Sequence, residues 1–100
     1  MVRYDITIHT TAKRELQDLE PQDRERLTDV IADVAAHKEP TAHEKVRPLE
    51  GQSGLFRVRV GDVRAVLALE KPELRTLTVG KRDSVYRAID TIHERREATA

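Results

Sequence analysis

The sequence predicts an α+β domain: a mainly antiparallel four-stranded sheet packed by an N-terminal helical hairpin and a C-terminal helix. The expected order is β-α-α-β-β-β-α. Three observations carry this. Leu55 to Leu69 (LFRVRVGDVRAVLAL) alternates strictly on either side of a Gly-Asp pair, which reads as two strands and a tight turn. Two segments meeting at Glu20-Pro21 repeat their apolar residues at helical spacing. Neither internal repeats nor low-complexity segments interrupt the pattern.

Taken in order, Arg3 to His9 alternates Tyr4, Ile6 and Ile8 on one side, as a short strand does. Thr10 or Thr11 is placed to cap the following helix, because a hydroxyl can accept from an orphan N–H of the first turn. Ala12, Leu16 and Leu19 give that helix a narrow apolar stripe. Pro21 suits a helix's first position and disfavours helix in the residue before it. A second helix therefore runs from about Pro21 to His37, with Leu27, Val30, Ile31, Val34 and Ala35 on its apolar side. The pair forms a helical hairpin whose apolar edge must pack on the sheet. Residues 38–54 hold two Pro and two Gly without any period, and read as a long loop anchored by Val46 and Leu49.

The central hairpin fixes its own register if Gly61 and Asp62 form the loop. Val60 then faces Val63, Arg59 faces Arg64, Val58 faces Ala65 and Phe56 faces Leu67. Gly at the first loop position supplies the positive φ such turns need. One face is apolar and the other carries Arg57, Arg59 and Arg64. Like charges directly opposed across a ladder are destabilising, so the Arg59–Arg64 pair implies full solvation, an anion to share or a carboxylate that neutralises it. A turn over Glu70–Glu73 leads into a strand from Leu74 to Gly80. Asp83 or Ser84 is expected to cap a last helix that buries Val85, Ala88, Ile89 and Ile92. The chain is one domain over residues 1–100, with 94–100 as a fraying tail.

Of its 100 residues, 38% are apolar and 36% charged, so a modest core sits under a highly charged surface. The absence of cysteine excludes disulfides, thiolate metal sites and a cysteine nucleophile. No apolar run reaches the roughly 18 residues of a membrane span, and no signal peptide is visible, so a cytoplasmic location without membrane contact is expected. Formal net charge is zero, yet it is unevenly spread. Residues 1–53 hold 8 Lys/Arg and 11 Asp/Glu, whereas residues 54–87 hold 8 and 4. The positive charge thus gathers in and after the hairpin, as a local footprint for an anionic partner would require. His9, His37, His43 and His93 lie at no metal-ligand spacing and read as surface or turn residues. The charged face of the second helix (Asp23, Arg24, Glu25, Arg26, Asp29, Asp33) reads as solvated.

The Thr-rich end of the first strand, the helical hairpin broken by Pro, LFRVRVGDVRAVL and LTVGKRDSVYR together resemble the RelE/ParE toxin superfamily, and its RelE branch in particular. The resemblance covers roughly residues 3–87. It implies the toxin of a type II toxin–antitoxin system: a ribosome-dependent endoribonuclease that cuts mRNA in the A site and is neutralised by a cognate RelB-like antitoxin in a heteromeric complex. Carried over by position, it implies Arg57, Arg59, Arg64, Arg82 and Tyr86 as the catalytic set, with Lys81 and Arg87 as substrate-binding residues and neither cofactor nor metal. In the chemistry implied, a 2′-hydroxyl attacks the adjacent phosphorus and fixed cations stabilise the charge that gathers there. Arg64 and Arg82 would form that clamp, while Tyr86 positions or activates the 2′-hydroxyl or stacks on a base. Where some relatives carry lysines, this chain has Arg57 and Arg59, and arginine stays protonated in proteins. A ParE-like toxin that acts by occupying a protein target such as gyrase is the alternative. A third is a degenerate toxin kept only as an antitoxin's partner.

Overall fold

The computed structural model describes residues 4–49, 51, 54–88 and 92. The chain runs β1 (Asp5–Ile8), α1 (Thr10–Gln17), α2 (Pro21–Ala36), β2 (Val46–Pro48), β3 (Leu55–Val60), β4 (Val63–Glu70), β5 (Glu73–Lys81) and α3 (Arg82–Ala88). The strands form one sheet in the order β1-β5-β4-β3-β2, antiparallel except for the parallel β1–β5 pair.

The expected α+β layout holds, with one strand more than the four expected. β2 lies inside the stretch read as loop, pairing Val46, Arg47 and Pro48 with Val58, Arg57 and Phe56. Three residues are too few to show a period, and a proline at the end hides the strand further. Pro48 is tolerated because β2 is an edge strand, where one missing donor breaks no second ladder. The anchors were correctly placed: Val46 is buried, and Leu49 packs against the cluster beneath α3.

The hairpin register is the one counted from the sequence, with Arg59 opposite Arg64. Gly61 takes a φ of 59°, the left-handed conformation expected of it. Helix α2 packs Leu27, Ile31, Val34 and Ala35 onto the apolar face formed by Val58, Val63, Ala65, Leu67, Leu74 and Val79. The last helix does not join that layer. It crosses the opposite face, where Val85 and Ile92 close over Leu55, Val66, Ala68 and Leu77. The arginine-bearing face is therefore apolar and helix-covered at one end and cationic at the other. Ile89, His93 and the tail at 94–100 lie outside the described residues.

Both expected helix caps differ. α1 is capped by His9, whose Nδ1 accepts from the Thr11 N–H at 3.1 Å, so neither Thr10 nor Thr11 does that work. His37 and His43 make the same two-residue bond, accepting from the N–H of Glu39 and Lys45, which fits their reading as turn residues. α3 starts at Arg82, immediately after β5 ends at Lys81, so Asp83 and Ser84 are inside the helix rather than before it.

A bulge in β5 determines what faces the cationic end. Leu67 pairs with Thr76 but Val66 pairs with Thr78, which leaves Leu77 as the extra residue. Without it, strict alternation would send Gly80 to the α2 side. With it, Val79 enters the core under α2 and Gly80 stands beside Arg64. Past Thr76 the outer edge of β5 has no β1 partner. Glu15 of α1 covers it, its Oε1 accepting from Thr78 Oγ1 at 2.9 Å and from the Val79 N–H at 3.2 Å.

Candidate functional site

Arg64 stands near the turn end of β4, between Arg59 on one strand and Gly80 on the other. Strand pairing on both sides holds its backbone, and its side chain is 8% exposed. Its Nε is buried and makes no hydrogen bond, and among the described residues no carboxylate forms an ion pair with it. A guanidinium is desolvated at real cost unless a counter-charge meets it. Gly80 pairs with it across the ladder. A Cβ there would lie 3.3 Å from Ser84 Cβ, so the missing side chain also lets α3 approach the sheet.

Arg64 opens onto a cleft of about 460 Å³ lined by Asp62, Lys81, Arg82 and Asp83 as well. Asp62 comes from the hairpin tip and the other three from the strand-to-helix junction. A second, smaller cleft of about 230 Å³ is lined by Glu44, Lys45, Arg47, Arg57 and Arg59. The direct pairing of Arg59 with Arg64 links the two on one face of the sheet.

The residues expected from the sequence therefore fall into two adjoining groups. Arg64, Lys81 and Arg82 share the larger cleft, and Arg57 with Arg59 the smaller. Tyr86 follows one turn along α3, half-exposed, with the Arg82 guanidinium carbon 5.7 Å from its ring centroid. That separation is a cation–π contact. Arg59 Nε donates to the Gly61 carbonyl at 3.2 Å, which holds this side chain toward the hairpin tip. Arg87 lines neither cleft; its Nε donates to the Asp83 carbonyl at 3.3 Å along the helix.

Arg47 is a cation that the sequence reading missed. It faces Arg57 across the β2–β3 pair and donates to the carbonyls of Glu44 and Val46 at 2.7 and 2.9 Å. Only the recognition of β2 as a strand would have placed it beside Arg57. No group of three or more His, Asp or Glu side chains is arranged for a metal ion among the described residues. What the arrangement can do is hold anions. It offers one deeply placed guanidinium without a counter-ion among the described residues, and a row of more exposed cations beside it.

Neither a protein-family model nor a curated protein matches the sequence. Solved structures do match the fold. The RelBE2 toxin–antitoxin complex of Mycobacterium tuberculosis contains a chain 27% identical, with a TM-score of 0.68 over 82% of this chain and 94% of that one. The archaeal RelE–RelB complex from Pyrococcus horikoshii OT3 is similar, at 27% identity and a TM-score of 0.66, covering 80% and 96%. A double arginine-to-alanine mutant of the E. coli toxin RelE, solved in the free state, gives 20% identity and a TM-score of 0.71 over 87% and 93%. The matches at 27% identity place the chain in the RelE-like toxin superfamily.

Proposed function

We propose that this protein is the toxin of a type II toxin–antitoxin pair and acts as an endoribonuclease on mRNA in the ribosomal A site. The observation that carries the proposal is Arg64, nine-tenths buried, without a counter-ion among the described residues and opening onto the cleft that Arg82 also lines. A phosphate in that cleft supplies the charge Arg64 lacks, and the planar guanidinium fork suits phosphate oxygens.

The reaction follows from the cations. The 2′-oxygen attacks the adjacent phosphorus, the bond to the 5′-oxygen breaks, and negative charge collects on the non-bridging oxygens. Arg64 and Arg82 meet that charge from fixed positions, which is where preorganised donors act most strongly. Arg57, Arg59 and Arg47 hold the neighbouring strand backbone. Tyr86 offers a ring face to a base, with Arg82 beside it. The cations alone answer the charge of this transition state, so the reading calls for no metal. A cognate antitoxin, RelB-like as in the complexes of the structural relatives, would neutralise the toxin by covering this face with an acidic, amphipathic segment.

Induced expression in cells tests the reading. Ribosome-associated mRNA should be cut within minutes, and Arg64→Ala should abolish both cutting and growth arrest. Arrest with mRNA intact and DNA replication blocked would overturn the nuclease reading in favour of a toxin that occupies a protein target.

A further inference from the structure

Arginine supplies charge to this site but no base. Arg57 and Arg59 stay protonated, so the proton of the attacking 2′-hydroxyl needs another acceptor. The larger cleft contains two, Asp62 and Asp83. Neither carboxylate forms an ion pair among the described residues, although Arg64, Lys81 and Arg82 line the same cleft. Position separates them. Asp62 stands at the hairpin tip. Asp83 is in the first turn of α3, three residues before Tyr86, and residues three apart are neighbours on a helix surface. A nucleoside stacked on Tyr86 brings its ribose over that turn.

We propose that Asp83 is the general base of this chain, a catalytic residue that resolves what the two arginines leave open. The inference rests on the nuclease reading above. Its carboxylate takes the 2′-hydroxyl proton as the 2′-oxygen bonds to phosphorus. The bond from phosphorus to the 5′-oxygen breaks, and that oxygen takes its electron pair and a proton from water. The hydroxide so formed removes the proton from Asp83. A 2′,3′-cyclic phosphate and a 5′-hydroxyl remain, and no water is consumed. The charged groups around Asp83 are Arg64, Asp62, Lys81 and Arg82 in the cleft, with Arg87 bonded to its backbone carbonyl.

The test is single-turnover cleavage of a reporter mRNA on programmed ribosomes, with the purified protein and its variants. Asp83→Asn should lower the cleavage rate by about 10²- to 10⁴-fold, the range for losing a general base, with KM changed only a few-fold. Asp83→Glu, which keeps a carboxylate, should restore part of that rate. An Asp83→Asn rate within a few-fold of the parent overturns the assignment. So does a loss of this size in Asp62→Asn instead. If Asp83→Asn raises KM and leaves the maximal rate, Asp83 only positions Arg82 and the assignment again fails. Absence of cutting by the folded parent is a separate result: it removes the nuclease reading itself, and the base with it.

Discussion

Two arginines on the same face of this sheet are buried to the same degree and treated in opposite ways. Arg75 and Arg64 are each 8% exposed. Arg75, beside the β4–β5 turn, meets Glu73 at 2.9 Å and Glu70 at 3.4 Å. Arg64, near the opposite end of β4, meets no carboxylate among the described residues. The fold can evidently neutralise a buried guanidinium, and does so where only structure is at stake. Among the described residues Arg64 has no such partner, and the proposed reading puts the RNA phosphate there.

The contrast yields predictions that run from large effects to small. Arg64→Met should cut the cleavage rate by at least about 10²-fold, as loss of a preorganised transition-state donor does. The same change should leave the unfolding midpoint unchanged or raised, because it removes a desolvated charge. A loss of stability alongside activity would mean that Arg64 is structural, like Arg75. Arg75→Ala should show the reverse pattern. Glu70 and Glu73 are about one-third exposed and regain water, so the expected loss is about 1–3 kcal/mol in urea unfolding, with cleavage little altered.

Inorganic phosphate offers a middle-sized test. At ten times its dissociation constant it should stabilise the parent by about 1.4 kcal/mol through binding to the folded state alone. That increment should vanish in Arg64→Met and persist in Arg75→Ala. The smallest effect concerns the opposed pair. Arg59→Thr should gain some tenths of a kcal/mol by removing like-charge repulsion across the ladder, read in the same unfolding experiment. A loss there would mean that Arg59, through its bond to Gly61, supports the turn more than it strains the sheet.

The sequence revealed what periodicity can carry. Strict alternation around Gly61-Asp62 was enough to pair Arg59 with Arg64, and helical spacing was enough to find the buried side of α2. What it concealed has physical reasons. β2 is three residues long and ends in proline, so Arg47 went unnoticed beside Arg57. The bulge at Leu77 breaks no rule of composition, yet it turns Gly80 toward Arg64. Helix α3 shares its apolar residue types with α2, and only the alternate face of β3 and β4 (Leu55, Val66, Ala68) shows where it packs. Periodicity could not tell the two arginines apart, and only the resemblance singled out Arg64. In the structure their burial is alike, and the turn that brings Glu70 and Glu73 to Arg75 distinguishes them.

The central claim is that the site around Arg64 engages and cuts an RNA phosphate on the ribosome. Primer extension on a reporter mRNA, in a purified translation system with and without ribosomes, tests it most directly. Cuts at A-site codons that require ribosomes and disappear with folded Arg64→Met are the predicted result. Equal cutting by Arg64→Met, or none by the folded parent, would contradict it.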